Sequence, residues 1–154
     1  MSDRRTIAWP DALIVATLLS FAATSFLFDR AAAMDLVAPD SIDPFGRALH
    51  WYGVRYDPLV AENPLFLRIM SGISAFVFGP LYLWAARALW RGDARLHRAS
   101  LLYGAAMIYS MIVHVLVEVW HEVSPPSPLI LVGVYLPYVA LPLALPWRAR
   151  LRAA

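Results

Sequence analysis

Four long stretches of this chain carry no charged side chain, and they limit the possible folds more than any other feature. Ala12 to Phe28 covers 17 residues, Ile69 to Ala86 covers 18, Ala99 to Val117 covers 19 and Val123 to Trp147 covers 25. About 20 apolar residues in helical form cross the hydrocarbon core of a bilayer, with a working range of roughly 17–25. A core helix of a water-soluble protein keeps a polar face, and these runs have none. In lipid every backbone N–H and C=O must be paired within the segment, so spans of this length are helices. The hydrophobic share of 60% exceeds the ~45–50% of soluble domains and agrees with that reading. The expected fold is all-α: a polytopic membrane protein, one transmembrane domain over residues 1–154. It forms a four-transmembrane-helix bundle, with helices at about 11–29, 65–90, 99–120 and 127–147.

The first run could be mistaken for a secretory leader. Arg4 and Arg5 would form its basic end and Ala31-Ala32-Ala33 its cleavage site. Its apolar stretch is longer than the ~7–15 residues of such leaders, so it is read as a retained helix.

Arginine placement orients the bundle. All 13 basic residues are Arg. Nine lie on one side: Arg4 and Arg5, then Arg87, Arg91, Arg95 and Arg98 between the second and third runs, then Arg148, Arg150 and Arg152. The opposite side mixes Arg30, Arg47, Arg55 and Arg68 with six acids. The positive-inside rule then predicts both termini in the cytoplasm. Trp9, Trp90 and Trp147 fall at the inner boundary and Trp51 and Trp120 at the outer one, the levels amphipathic rings favour. The membrane would be the cell membrane of a prokaryote or the endoplasmic reticulum of a eukaryote.

Composition also removes function classes. With no Cys, disulfides, thiol catalysis and Cys-ligated zinc are excluded. A net charge of +2 gives no basis for nucleic-acid binding. No cofactor is expected.

The outer link between the first two runs is too aromatic to be a disordered tether. Ile42 to Tyr56 has the pattern of an amphipathic helix, with Phe45, Leu49 and Tyr52 on one face. Asp57-Pro58 reads as a helix start, since Asp is a good N-cap and Pro suits the first helical position. The segment WYGVRYDPLVAENP, residues 51–64, is therefore expected to be structured. It would offer Trp51, Tyr52 and Tyr56 as walls and bring Asp57 towards Asp29. In the last run Pro137, Pro142 and Pro146 each remove a backbone hydrogen bond, which suggests a bent helix lining a cavity.

Polar groups at membrane depth are costly, so each is a candidate for function. Asp29 ends the first run. His114 and Glu118 are four apart on the third, with His121 three further on, all on one helical face. That spacing is reminiscent of metal ligation, but a lone His-x-x-x-Glu without a further ligand type is weak, and no metal is assigned. Ser71, Ser74, Tyr109, Ser110, Tyr135 and Tyr138 lie at depth as well. The tyrosines, apolar with one hydrogen-bonding tip, suit a greasy ligand with one polar end.

Several stretches together resemble the EXPERA-domain family, which groups emopamil-binding protein, a sterol isomerase, with the sigma-2 receptor. FLFD ending at Asp29, WYGVRYDPL, and GVYLPYVALP over residues 133–142 are similar to the sigma-2 branch. GPLYLW over residues 79–84 and IYSMIVHVLVE over residues 108–118 look more like the isomerase branch. The similarity is collinear over roughly residues 12–147. It implies a four-helix membrane protein, a homodimer, with a pocket for a sterol-like or isoprenoid lipid and for cationic amphiphiles. In the sigma-2 branch the acids matching Asp29 and Asp57 bind the ligand amine. In the isomerase branch a third-helix Glu, matching Glu118, acts with a first-helix His and Glu to move a sterol double bond. Phe21 and Ser25 stand in place of that first-helix pair.

Three functions stay open on these residues. The first is lipid or amphiphile binding, with Asp29 and Asp57 as the polar anchor and Trp51, Tyr52, Tyr109, Tyr135 and Tyr138 as walls. The second is isomerisation of a C=C bond, with Glu118, His114 and Asp29 moving protons through a carbocation. The third is a structural membrane partner without a ligand.

Overall fold

The computed structural model describes residues 8–120 and 127–153, and every regular element among them is helical. Among the described residues, four helices are long and apolar enough to cross a membrane: α1 (Trp9–Ala33), α4 (Leu65–Arg91), α5 (Arg95–Trp120) and α6 (Pro128–Ala153). Two short helices, α2 (Pro44–Tyr56) and α3 (Pro58–Glu62), fill the link between α1 and α4. The protein is therefore an integral membrane protein built as a four-helix bundle.

The helices run past the limits drawn from charge. α1 starts at Trp9 with Pro10 in its first turn, where its missing N–H costs nothing. It takes in Asp11, and α6 continues through Arg148, Arg150 and Arg152 to Ala153. A charge ends an apolar run without ending the backbone hydrogen bonding. Asp11 is 1% exposed, and its carboxylate accepts from Arg148 Nε at 2.6 Å and faces Arg152 Nε at 3.2 Å. This ion cluster clasps the first helix to the last.

α1 packs along α4 and α5 along α6. The core between them is Leu18, Phe21, Tyr82, Leu89, Leu96, Tyr103, Met107, Leu141 and Leu145, with Ala22, Ala85, Ala86 and Ala88. The alanines matter because apolar burial drives nothing between helices in lipid, where close approach of small residues supplies the packing. Gly104 of α5 serves the same end. A Cβ there would sit 3.0 Å from the Pro142 carbonyl oxygen, the acceptor that Pro146 deprives of its helical donor. Gly92, with φ of 69°, takes the left-handed conformation that closes α4. Trp9, Trp90, Trp120 and Trp147 are exposed at helix ends, as an aromatic belt requires.

Two breaks in regularity position the site. α1 widens into a π turn over Ser25–Asp29, and α4 does so over Ser74–Phe78. The two π turns face each other across the α1–α4 contact.

The link has the predicted structure. Asp43 caps α2, accepting from the N–H groups of Phe45 and Gly46, and pairs with Arg30. Phe45 packs edge-on against Phe28, laying α2 on the upper part of α1. Asp57 caps α3 through Val60 N–H. Asn63 ends α3 in the left-handed conformation, and its side-chain amide donates at 3.0 Å to the Ala32 carbonyl at the end of α1, which also accepts from Asp35 N–H.

Candidate functional site: an intramembrane cavity with two polar clusters

A cavity of about 380 Å³ lies within the bundle. That falls within the ~300–1,000 Å³ of small-molecule sites. Every membrane helix contributes to it: Thr24, Phe28 and Asp29 from α1, Met70, Ser74 and Phe78 from α4, Met107, Ser110, Met111 and His114 from α5, and Val134, Tyr135 and Tyr138 from α6. Leu49 and Tyr52 of α2 and Val60 and Asn63 close it at one end. The wall is chiefly apolar, and two clusters of polar groups stand in it or directly behind it.

The first cluster is built by the paired π turns. Ser74 Oγ donates to Asp29 Oδ2 at 2.6 Å, and Ser25 Oγ lies 3.1 Å from Ser74 Oγ. Single π turns interrupt helices at functional sites more often than elsewhere, because the widened turn re-aims side chains. Here both turns deliver their polar residues to one point and set a carboxylate in the cavity wall.

The second cluster lies where α3, α5 and α6 meet. Asp57, His114 and Glu118 are 0%, 3% and 3% exposed, and one ligand-type atom of each lies within 4.8 Å of the others. Helical spacing puts His114 and Glu118 on one face of α5. The capping role fixes Asp57 opposite them. Tyr135 O–H donates to Asp57 Oδ2 at 2.6 Å, and its ring lies 4.6 Å from that of His114. Burial, then the negative charges of Asp57 and Glu118, pushes the Tyr52 hydroxyl up to about 12, so it stays protonated and can donate. Asp57 and Glu118 do not line the cavity; they lie against His114 and Tyr135, which do.

Of the polar residues picked out in the sequence, Asp29, Tyr52, Ser71, Ser74, Ser110, His114, Tyr135 and Tyr138 therefore meet at the cavity wall. Tyr138 stacks on Phe21 with ring centroids 4.3 Å apart. Asp57 and Glu118 stand directly behind. The expected partnership of Asp57 with Asp29 is replaced by two separate networks, and the acid that shares Asp57's site is Glu118. Trp51 and Tyr109, also expected as walls, do not line the cavity. Trp51 is 58% exposed, with the Arg55 guanidinium 5.7 Å over its ring, and Tyr109 is 70% exposed. The expectation for Trp51 rests on its place in the aromatic link, and that for Tyr109 on its depth. Each sits about 100° around its helix from a neighbour that does face inward, Tyr52 and Ser110 respectively. His121 lies outside the described residues.

Sequence reasoning missed Asn63 as part of the wall. Its signal was present, since Asn tolerates the left-handed conformation and precedes Pro64 at the end of a short helix.

A family model, EXPERA (expanded EBP superfamily), matches residues 44–149, more than two thirds of the 154-residue chain. The chain belongs to the EXPERA family. Its match takes in α2 through most of α6, and hence the whole second cluster and all of the cavity wall except the α1 residues. No curated protein and no solved structure matches the chain.

Proposed function

We propose that this EXPERA protein binds a sterol-like or isoprenoid lipid, or a cationic amphiphile, in its intramembrane cavity. The observation that carries the reading is the Asp29 carboxylate held by Ser74 at 2.6 Å in an otherwise chiefly apolar wall of about 380 Å³. An apolar body fills such a space, and the carboxylate pairs with a protonated amine or accepts from a hydroxyl. Phe28, Phe78 and Tyr138 add aromatic faces that favour a cation. Both termini are cytoplasmic in this reading, following the arginine asymmetry, and the protein works as a homodimer.

The test is mass spectrometry of lipid co-purified with the protein in detergent, wild type beside Asp29→Asn. The expected result is a polycyclic or isoprenoid species enriched on the wild type and lost from the variant. Bulk phospholipid alone on both would overturn the binding reading and favour a structural membrane partner.

A second reading, isomerisation of a C=C bond, is favoured by one observation. His114 stands in the cavity wall with Glu118 behind it, so a protonated group can reach a bound alkene. One group would add a proton at one alkene carbon, leaving the cation on the next, and another would remove a proton from the carbon beyond that cation, so that the double bond shifts by one position and the protein's total proton count is unchanged. Glu118, His114 and Asp29 are the candidates for those roles. Incubation with unsaturated polycyclic lipids in deuterated water tests it, and the absence of deuterium incorporation would refute it.

A further inference from the structure

Two carboxylates and an imidazole buried within 4.8 Å of one another form a costly arrangement. Like charges this close, away from water, require a proton or a cation between them. We propose that Asp57, His114 and Glu118 bind one divalent transition-metal cation of borderline softness, zinc being the reference case.

Geometry supports the proposal first. In a triangle whose sides are all 4.8 Å, the widest the donors allow, the centre lies about 2.8 Å from each. Zinc bonds to imidazole nitrogen and carboxylate oxygen are ~2.0–2.2 Å, so a rotation of less than an ångström per side chain closes the site. The three residues come from positions that hold them well. His114 and Glu118 are consecutive turns of one helix. Asp57 is pinned by Val60 N–H on Oδ1 and Tyr135 O–H on Oδ2, the outer hydrogen bonds that orient a ligating carboxylate.

An independent observation points the same way. His114 Nε2 is buried and makes no hydrogen bond among the described residues, although a buried ring nitrogen needs a partner. A metal ion supplies one.

Chemistry narrows the ion. One imidazole and two carboxylates, with no sulfur ligand among the three, suit zinc or a similar first-row ion and disfavour copper(I). A divalent cation on two carboxylates gives a site of zero net charge, the least costly state at this depth. Three protein ligands leave a coordination position free, the pattern of sites that act on a bound molecule. His114 belongs to both the cluster and the cavity wall, so a ligand in the cavity lies beside the ion. The inference stands apart from the lipid-binding reading and does not require it.

The experiment uses the full chain in detergent, stripped with chelator and titrated with zinc chloride against a chromophoric competitor. One zinc per chain is expected. His114→Gln and Glu118→Gln each weaken binding at least ~100-fold, and Tyr135→Phe, which removes an orienting bond, weakens it ~10–100-fold. His97→Gln, away from the site, leaves it unchanged. No saturable binding by the wild type, or binding that survives both His114→Gln and Glu118→Gln, overturns the proposal. Because a buried variant can lose its fold, the wild type is also loaded with cobalt(II) and read by X-ray absorption. A first shell of one imidazole and oxygen donors supports the site, and cobalt surrounded by water alone overturns it. Failure here leaves lipid retention by the Asp29 cluster as a separate result.

Discussion

Gly53→Ala is a severe and informative perturbation of the second cluster, although it touches none of its side chains. Gly53 lies in the last turn of α2, against α3. A Cβ at this position would lie 2.4 Å from Ala61 N, 2.7 Å from its Cα and 2.8 Å from its Cβ, where ordinary contact begins at 3.4 Å. Two opposing terms set the outcome. Ala in a helix interior is favoured over Gly by ~1 kcal/mol. Overpacking costs ~1–3 kcal/mol, and the upper end applies because the obstacle is backbone, which cannot rotate aside. α3 must retreat by about an ångström, and it starts at the Asp57 cap, one helical turn before Ala61. The 2.6 Å bond from Tyr135 then lengthens, at a further loss of up to ~1.5–3 kcal/mol for a bond to a charged group. The clash outweighs the propensity, with a net loss of ~2–4 kcal/mol. At ~2–4 °C per kcal/mol for a domain of this size, the thermal midpoint in detergent falls by roughly 4–16 °C. A midpoint equal to or above that of the wild type would refute the reasoning, since propensity alone predicts a rise.

Three further outcomes follow from other parts of the molecule. Asp11→Asn removes the charge that Arg148 and Arg152 share. Breaking a buried pair costs ~3–5 kcal/mol, reduced here to roughly 1–3 because the two arginines are partly exposed, and an unchanged thermal midpoint would dismiss the clasp. Ser74→Ala removes the donor to Asp29. In a double-mutant cycle with Asp29→Asn, measured by thermal unfolding, the two changes should be non-additive by ~0.5–3 kcal/mol, and strict additivity would mean that the 2.6 Å bond is not formed. Asp43 gives a pH dependence: the Arg30 guanidinium, then the capping N–H groups, hold its carboxyl below the usual carboxylate range. A depressed folded-state value contributes stability that is complete above the unfolded value near ~3.9 and is lost as pH falls through the folded one. Thermal midpoints should therefore drop more steeply below about pH 4 in the wild type than in Asp43→Asn, and parallel slopes would exclude the contribution.

Span number and the capped segments of the link were legible because they depend on local chemistry. Uncharged length marks a membrane helix whatever surrounds it, and Asp-Pro marks a helix start wherever it occurs. Helix limits were less legible: Asp11 and Arg148 looked like boundaries because their charges would be intolerable in lipid, and only the packing of α1 on α6 turns them into partners. For the site, depth was readable and direction around the helix was not. Tyr109 and Ser110 are adjacent in the chain, yet one faces out of the bundle and the other lines the cavity. Asp57 shows the limit most clearly. Its cap could be read from its two neighbours, but its approach to His114 and Glu118 depends on how α3 lies against α5, which no spacing within either segment encodes.

The π turns explain why a bundle of this size has room for a cavity beside such polar groups. Two regular helices packed through small residues close the space between them, as α1 and α4 do around Ala22, Ala85 and Ala88. Above that level each helix widens by one π turn, at Ser25–Asp29 and at Ser74–Phe78, and the ridges of one no longer fit the grooves of the other. Ser25, Ser74 and Asp29 meet at that contact and satisfy one another by hydrogen bonds. α5 and α6 face this opening with Met107, Met111 and Tyr138, side chains that adapt to or stack on an occupant. The irregularity in α1 and α4 therefore has a local compensation and an open volume as its consequence. The two turns place a carboxylate in the wall of that space, with the Phe28 and Phe78 rings beside it.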